Sequence, residues 1–196
     1  MGRRVQMNWV ESNRMHRLGV AHGTTGTALA AARVSAVSAE AAVLDWLHEL
    51  VASENERIDR RGGIPSRVTT DARRLPDTTW CWGVAGFAGA RAVVADHLGT
   101  AEAAHGLDVA RQILAASSTA LHRLCCGAAG WLGVLDDGGR AQVAAELVAA
   151  LGNHLLEDGS SFQSPSLFRG TAGVGYQLLR TLDSTLPDVL TFAPAT

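Results

Sequence analysis

Lysine is absent: all 17 basic residues of this chain are arginine. We read this as a coding bias toward Arg and Ala that carries no mechanistic information. Against 19 acidic residues it leaves a net charge of −2, which removes any general case for nucleic acid or an anionic membrane as partner. Aromatic residues are scarce, at 5 %, although 47 % of the chain is apolar. The apolar mass is therefore Ala, Val and Leu, and Ala and Leu favour helix. No apolar run approaches the roughly 20 residues that cross a bilayer. Met1-Gly2-Arg3-Arg4 has no apolar segment behind it, so no secretory signal is expected and the expected location is cytoplasmic. Cysteine is rare too. Three residues, an odd number, argue against a disulfide framework, and clustered thiols in a reducing compartment more often bind metal. The length of 196 residues suffices for one domain with its own core.

What is present is a recurring turn. Gly-x-x-Gly occurs at Gly23/Gly26, Gly83/Gly86, Gly127/Gly130 and Gly170/Gly173, at intervals of 60, 44 and 43 residues, and an apolar stretch follows each time. A period of 40–45 with two helices per unit reads as a helical repeat array. The paired glycines allow a sharp turn and close backbone approach as each helix begins. All three cysteines stand on these turns, as Trp80-Cys81-Trp82-Gly83 and Leu124-Cys125-Cys126-Gly127. If the units pack as a ring, Cys81, Cys125, Cys126 and His22 face a common centre, and the thiols form one metal site.

The pattern between the turns predicts a helix from Thr27 to about Val37. Ser38 is the expected N-cap of a second helix bearing Ala41, Leu44, Leu47 and Val51 on one face. Residues 53–79 are charged and broken by Gly62-Gly63, Pro65 and Pro76, which predicts a long loop. Phe87, Ala90, Val94 and Leu98 mark the next helix, closed by Gly99. Thr100 is the expected cap of its partner, with Leu107, Ala110 and Leu114. Asp136-Asp137-Gly138-Gly139 reads as a turn, followed by a helix over about 140–156. Pro187 ends regular structure. The expected organisation is a 1–18 N-terminal segment, a 19–192 repeat domain and a 193–196 tail.

Several motifs carry a family likeness: Ala21-His22-Gly23-Thr24-Thr25-Gly26, Trp80-Cys81-Trp82-Gly83, Cys125-Cys126-Gly127, and Arg169-Gly170-Thr171-Ala172-Gly173-Val174-Gly175-Tyr176-Gln177-Leu178-Leu179-Arg180. In this order they resemble the lanthionine synthetase C-like cyclases, which close thioether rings in lanthipeptides. Leu186-Pro187-Asp188-Val189-Leu190 resembles the C-terminus of the bifunctional class II synthetases, in which a dehydratase precedes the cyclase. The likeness implies an all-α fold, an α/α toroid with zinc at one mouth, of which this chain is about the C-terminal half. The commoner pattern has Cys then His before Gly. Here Cys126 stands at the His position, as in a three-Cys variant of the family. Asp77 stands where standalone cyclases usually carry Arg, with Arg73 and Arg74 nearby, and Trp82 stands where Tyr or His is frequent.

The resemblance implies that Cys81, Cys125 and Cys126 hold Zn2+ and leave a fourth place open for a substrate thiol. It also places a functional His at His22, which suits the donor that protonates an enolate after thiol addition. The implied substrate is a dehydrated Ser/Thr- and Cys-containing precursor peptide, and the implied partner is the N-terminal half with its dehydratase. Other readings of the same residues stay open. The thiols can be small buried hydrophobes, or form a closed structural site with His122. His22 can simply pack in its turn. Trp82, Arg73 and Arg74 are candidate peptide contacts, but a charged run is usually a solvated face and Trp80 and Trp82 can be core. A zinc-containing module that binds a thiol peptide or glutathione without turnover, and a purely structural scaffold, are the rival functions.

Overall fold

The recurring glycines close a six-residue turn of the same shape at every repeat. In this computed structural model, which describes residues 18–38, 40–64, 77–119, 121–156 and 164–194, a Cβ on Gly26, Gly86, Gly130 or Gly173 would strike the carbonyl six residues earlier: Val20, Trp80, Leu124 or Leu167. Gly83, Gly127 and Gly170 meet Asp77, Leu121 and Ser164 in the same way. The glycines that precede each helix have φ between −150° and −134°, extended backbone open to any residue. At the seven glycines with such a contact, space and not a special dihedral is what requires glycine.

Each turn delivers the chain into a first helix: α1 (Thr24–Ser35), α3 (Val84–Leu98), a short 3-10 helix (Ala128–Trp131) and α7 (Thr171–Leu182). Second helices return behind them: α2 (Ala41–Arg61), the pair α4 (Ala101–Ala104) and α5 (Leu107–Ala115), and α6 (Asp137–Leu156). The first helices touch in succession, α1 with α3, α3 with the 3-10 helix, and that helix with α7. The result is a two-layer helical array. Among the described residues there is no strand, and the one β-type pairing is an antiparallel bridge between Asp188 and Ala193.

Two apolar clusters fill the space between the layers. The larger joins Val84, Phe87, Leu107, Leu114, Leu124, Leu132 and Leu147. The smaller packs Ala28, Ala31 and Ala32 of α1 against Leu47, Leu50 and Val51 of α2. Alanine on the facing surface lets these two helices lie close together. Gly99 ends α3 in the left-handed region at φ 65° and Thr100 accepts from the Ala103 N–H at 3.2 Å, both as expected. The single partner helix expected after Thr100, however, is broken at Gly106, φ 78°, into the four-residue α4 and a separate α5 that carries Leu107, Ala110 and Leu114.

Four other local expectations need correction. Helix α2 runs to Arg61, so 53–61 is helix and not loop. The apolar residues continue at helical spacing through Val51 and Ile58, and Gly62 at φ 64° closes the helix. Glu40, not Ser38, precedes its first turn. Asp136-Asp137-Gly138-Gly139 is a helix start and not a free turn, because Asp136 Oδ1 accepts from the Gly139 N–H at 2.8 Å. Finally, α1 starts at Thr24, three residues before the expected Thr27.

The C-terminal segment straps the array together. Arg33 of α1 donates twice to the Thr191 carbonyl at 3.1 Å, and the Trp80 indole donates to the Leu190 carbonyl at 3.1 Å. Tyr176 Oη donates to Pro187 O at 2.8 Å, and Arg180 pairs with Asp188 at 3.3 Å. Phe192 reverses the chain at φ 54°.

Candidate metal centre

Backbone hydrogen bonds stitch the four turns into one continuous edge. The N–H groups of Ala21 and His22 both reach Cys81 O at 3.2 Å, and Val20 N reaches Trp80 O at 3.3 Å. Trp80 N donates to Cys125 O, and Cys125 N to Phe168 O, each at 2.9 Å. Each repeat thus lends its turn to the next, which brings cysteines 44 and 45 positions apart to one point.

Within turn two, the Thr79 N–H donates to Asp77 Oδ1 at 3.0 Å and Val84 N to Asp77 O at 2.7 Å. Asp77 therefore shapes the turn, an Asx arrangement that an Arg could not make. Turn three is braced by Trp131, whose indole N–H donates to Thr78 O at 2.9 Å.

The three thiols converge. Cys81 Sγ is 3.7 Å from Cys126 Sγ, Cys126 Sγ is 3.4 Å from Cys125 Sγ, and all three sulfurs lie within 4.8 Å of one another. All are free thiols. A tetrahedral ion with metal–sulfur bonds near 2.3 Å needs sulfur–sulfur edges of about 3.8 Å, so these residues fit a metal with three thiolate ligands. Among the described residues this is the one cluster of His, Cys or carboxylate groups with that geometry, and His122 is not part of it.

The cluster shares its protons unequally. Hydrogen bonding from the Cys125 thiol, with help from Thr79 and Cys126, outweighs burial and lowers Cys81 to about 6. Cys125 is pushed up because its proton is held toward Cys81 and its site is buried. Burial raises Cys126, while the Arg169 guanidinium pulls the other way. At neutral pH the metal-free cluster carries about one negative charge on Cys81.

His22 sits beside this cluster, on the turn bonded to Cys81 O. Its exposed ring stacks on half-buried Trp82, with centroids 3.8 Å apart and planes inclined 19°. Trp80, by contrast, is core: it is 8 % exposed and stacks on Phe168 at 5.5 Å. At the position before each helix-starting glycine the four turns present His22, Trp82, Cys126 and Arg169. Arg73 and Arg74 lie outside the described residues. Arg57 belongs to α2 and reaches Thr24 Oγ1 at 3.5 Å.

Sequence reasoning passed over Glu54, fully buried behind the first turn. Its signal was present: Glu54 falls at helical spacing between Leu47, Leu50, Val51 and Ile58.

A family model described as lanthionine synthetase C-like protein matches residues 2–193. The chain belongs to the lanthionine synthetase C-like family. Among solved structures, nisin cyclase matches at a TM-score of 0.57 and 18 % identity, over 86 % of this chain and 47 % of that one. The all-α array described above is thus an α/α-toroid fold, and this family member spans about half the length of nisin cyclase. No curated protein sequence matches it. No described helix of this lanthionine synthetase C-like chain is long and apolar enough to cross a membrane.

Proposed function

We propose that the chain is the zinc-binding part of a lanthipeptide cyclase, which adds a peptide cysteine thiolate to dehydroalanine or dehydrobutyrine and forms lanthionine or methyllanthionine. The observation that carries this reading is the convergence of Cys81, Cys125 and Cys126 on one point, with His22 on the neighbouring turn. Zinc is the metal that suits three thiolates and an open fourth place, and when bound it supplies a Lewis-acidic centre that favours the deprotonated form of an incoming thiol.

The chain's own residues account for the rest. Addition forms a C–S bond at the β-carbon of the dehydro residue, and the π electrons move onto the α-carbon and its carbonyl as an enolate. His22, protonated, delivers a proton to the α-carbon. The proton given up by the peptide thiol balances the one gained by carbon. Trp82 holds the His22 ring at a fixed tilt, so the donor does not have to find its orientation during the reaction. Peptide contacts at Trp82, and at Arg73 and Arg74, belong to the same reading.

The span of about half of nisin cyclase bears on how the chain works. Positioning is worth roughly 7–11 kcal/mol of a barrier, and half a ring supplies half a cleft. The chain is expected to act in the cytoplasm with an N-terminal half and a dehydratase, as in the class II synthetases. The test is a dehydrated peptide carrying one cysteine, followed by thiol alkylation and mass spectrometry. We expect slow ring closure by the chain alone, and faster closure when an N-terminal half is supplied in trans. No closure even then would favour a module that binds the thiol peptide without turnover.

A further inference from the structure

Helix α1, which begins directly after His22-Gly23, has no side-chain cap among the described residues. Gly23 offers no side chain, and no acidic residue lies in the first turn. An uncapped helix start exposes unsatisfied N–H groups and the positive end of the helix dipole. The compensating charge comes from another helix. Glu54 of α2 is fully buried, and its Oε1 accepts from Thr24 Oγ1 at 2.6 Å and from Thr25 Oγ1 at 2.8 Å. Its Oε2 lies 3.1 Å from Nη2 of Arg91 on α3, which is also buried. That Nη2 donates to Asn55 Oδ1 at 3.0 Å, and Asn55 Nδ2 donates to Glu102 O at 2.8 Å. The guanidinium rests over the Phe87 ring, 5.1 Å from its centroid.

A buried ion pair is a poor way to gain stability, since desolvation consumes most of its attraction. Such pairs are better explained by the geometry they fix. This one joins three elements at one point: the first turn through Thr24 and Thr25, α2 through Glu54, and α3 through Arg91. On its opposite side the same turn is fixed by the Ala21 and His22 N–H bonds to Cys81 O. His22 belongs to one of these anchors and is two residues from the other.

We propose that Glu54 is a positioning residue for His22: through the Thr24 and Thr25 hydroxyls it locks the first turn so that the imidazole stacks on Trp82 beside the thiol cluster. The role assigned to His22 in chemistry rests on the cyclase reading, but the positioning is a property of the folded chain and is measured without turnover. It divides the labour at the site. The thiols are held by turns two and three, and the acid is held by its backbone bonds to turn two and, from the other side, by α2.

The experiment uses the full chain with [13C]histidine and reads the ring-current shift that the Trp82 indole imposes on the His22 ring protons. His22→Asn identifies the resonance among the seven histidines, and Trp82→Leu gives the unstacked position. Glu54→Gln and Thr25→Val are compared with Thr25→Ser, which keeps the hydroxyl. Helix content and cadmium bound per chain serve as controls for the fold and the thiol cluster. We expect Glu54→Gln and Thr25→Val to move the His22 signal toward the unstacked position, with the controls unchanged and with Thr25→Ser restoring the parent position. If Glu54→Gln does not fold, the two Thr25 variants decide. A His22 signal at the parent position in Thr25→Val, or no restoration by Thr25→Ser, overturns the proposal. Failure of the cyclase reading would leave this result intact.

Discussion

The His22 imidazole lies nearly flat on the Trp82 indole, 3.8 Å between ring centroids and 19° between planes, and the two come from different repeats. A stack between adjacent turns orients a side chain that is otherwise exposed. It also gives Trp82 a role that a core tryptophan does not have.

Replacing His22 is therefore expected to separate chemistry from metal binding. His22→Asn should lower ring closure by about 10²–10⁴-fold, the usual worth of a placed proton donor, while the metal content stays at the parent value. Trp82→Leu should give a smaller loss. Single-turnover ring closure by mass spectrometry, with metal analysis of the same samples, checks both.

Metal affinity should depend on pH in two regimes. Ligand thiols must lose their protons to bind. Cys81 is lowered to about 6 and is already ionised at neutral pH, whereas Cys125 and Cys126 are raised. Between pH 6 and 9 about two protons should leave per ion, and below pH 6 about three, so the affinity falls more steeply there. In the metal-free protein the lowered Cys81 adds stability that is complete above the unfolded thiol value and fades as the pH falls through 6. Competition with a chromophoric chelator across this range reads the slope directly.

Two glycine substitutions should have opposite signs. Gly86→Ala drives a Cβ into Trp80 O and should destabilise by about 1–3 kcal/mol or more, because the neighbour is backbone and cannot move aside. Gly175→Ala in α7 meets nothing within 4 Å and should stabilise by about 0.5–1 kcal/mol, by lowering the freedom of the unfolded chain. Chemical denaturation of the two variants side by side tests this.

Trp80→Phe keeps an aromatic ring but removes the pyrrole part of the indole and with it the N–H that reaches Leu190 O. A buried carbonyl left without its donor costs about 1–3 kcal/mol. We expect that loss of stability together with earlier proteolysis of the C-terminal strap, checked by limited digestion.

Sequence and structure agree where the chemistry is local. Gly-x-x-Gly marks all four turns because a Cβ would meet a carbonyl six residues back at each of them. Cys81, Cys125 and Cys126 were legible as one cluster for the same reason, since equivalent turns put their residues on one edge. Glu54 was legible only through its spacing. It lies in a charged segment, Ser53-Glu54-Asn55-Glu56-Arg57, and composition hid a helical face that only spacing reveals. The strap was hidden for a different reason. Its Leu190 and Thr191 contacts use backbone carbonyls, which every residue possesses. The short 3-10 helix after Gly127 is likewise a tertiary effect, with Gly130 and Gly133 weakening a longer helix and Trp131 pinned to Thr78 O.

X-ray absorption at the zinc edge of the purified chain tests the central claim most directly. The account expects about one zinc per chain, coordinated by about three sulfurs at roughly 2.3 Å with one lighter ligand, and reduced metal retention in Cys126→Ala. Metal-free protein whose three thiols all react freely with an alkylating reagent, or zinc in a sulfur-poor shell, would contradict it.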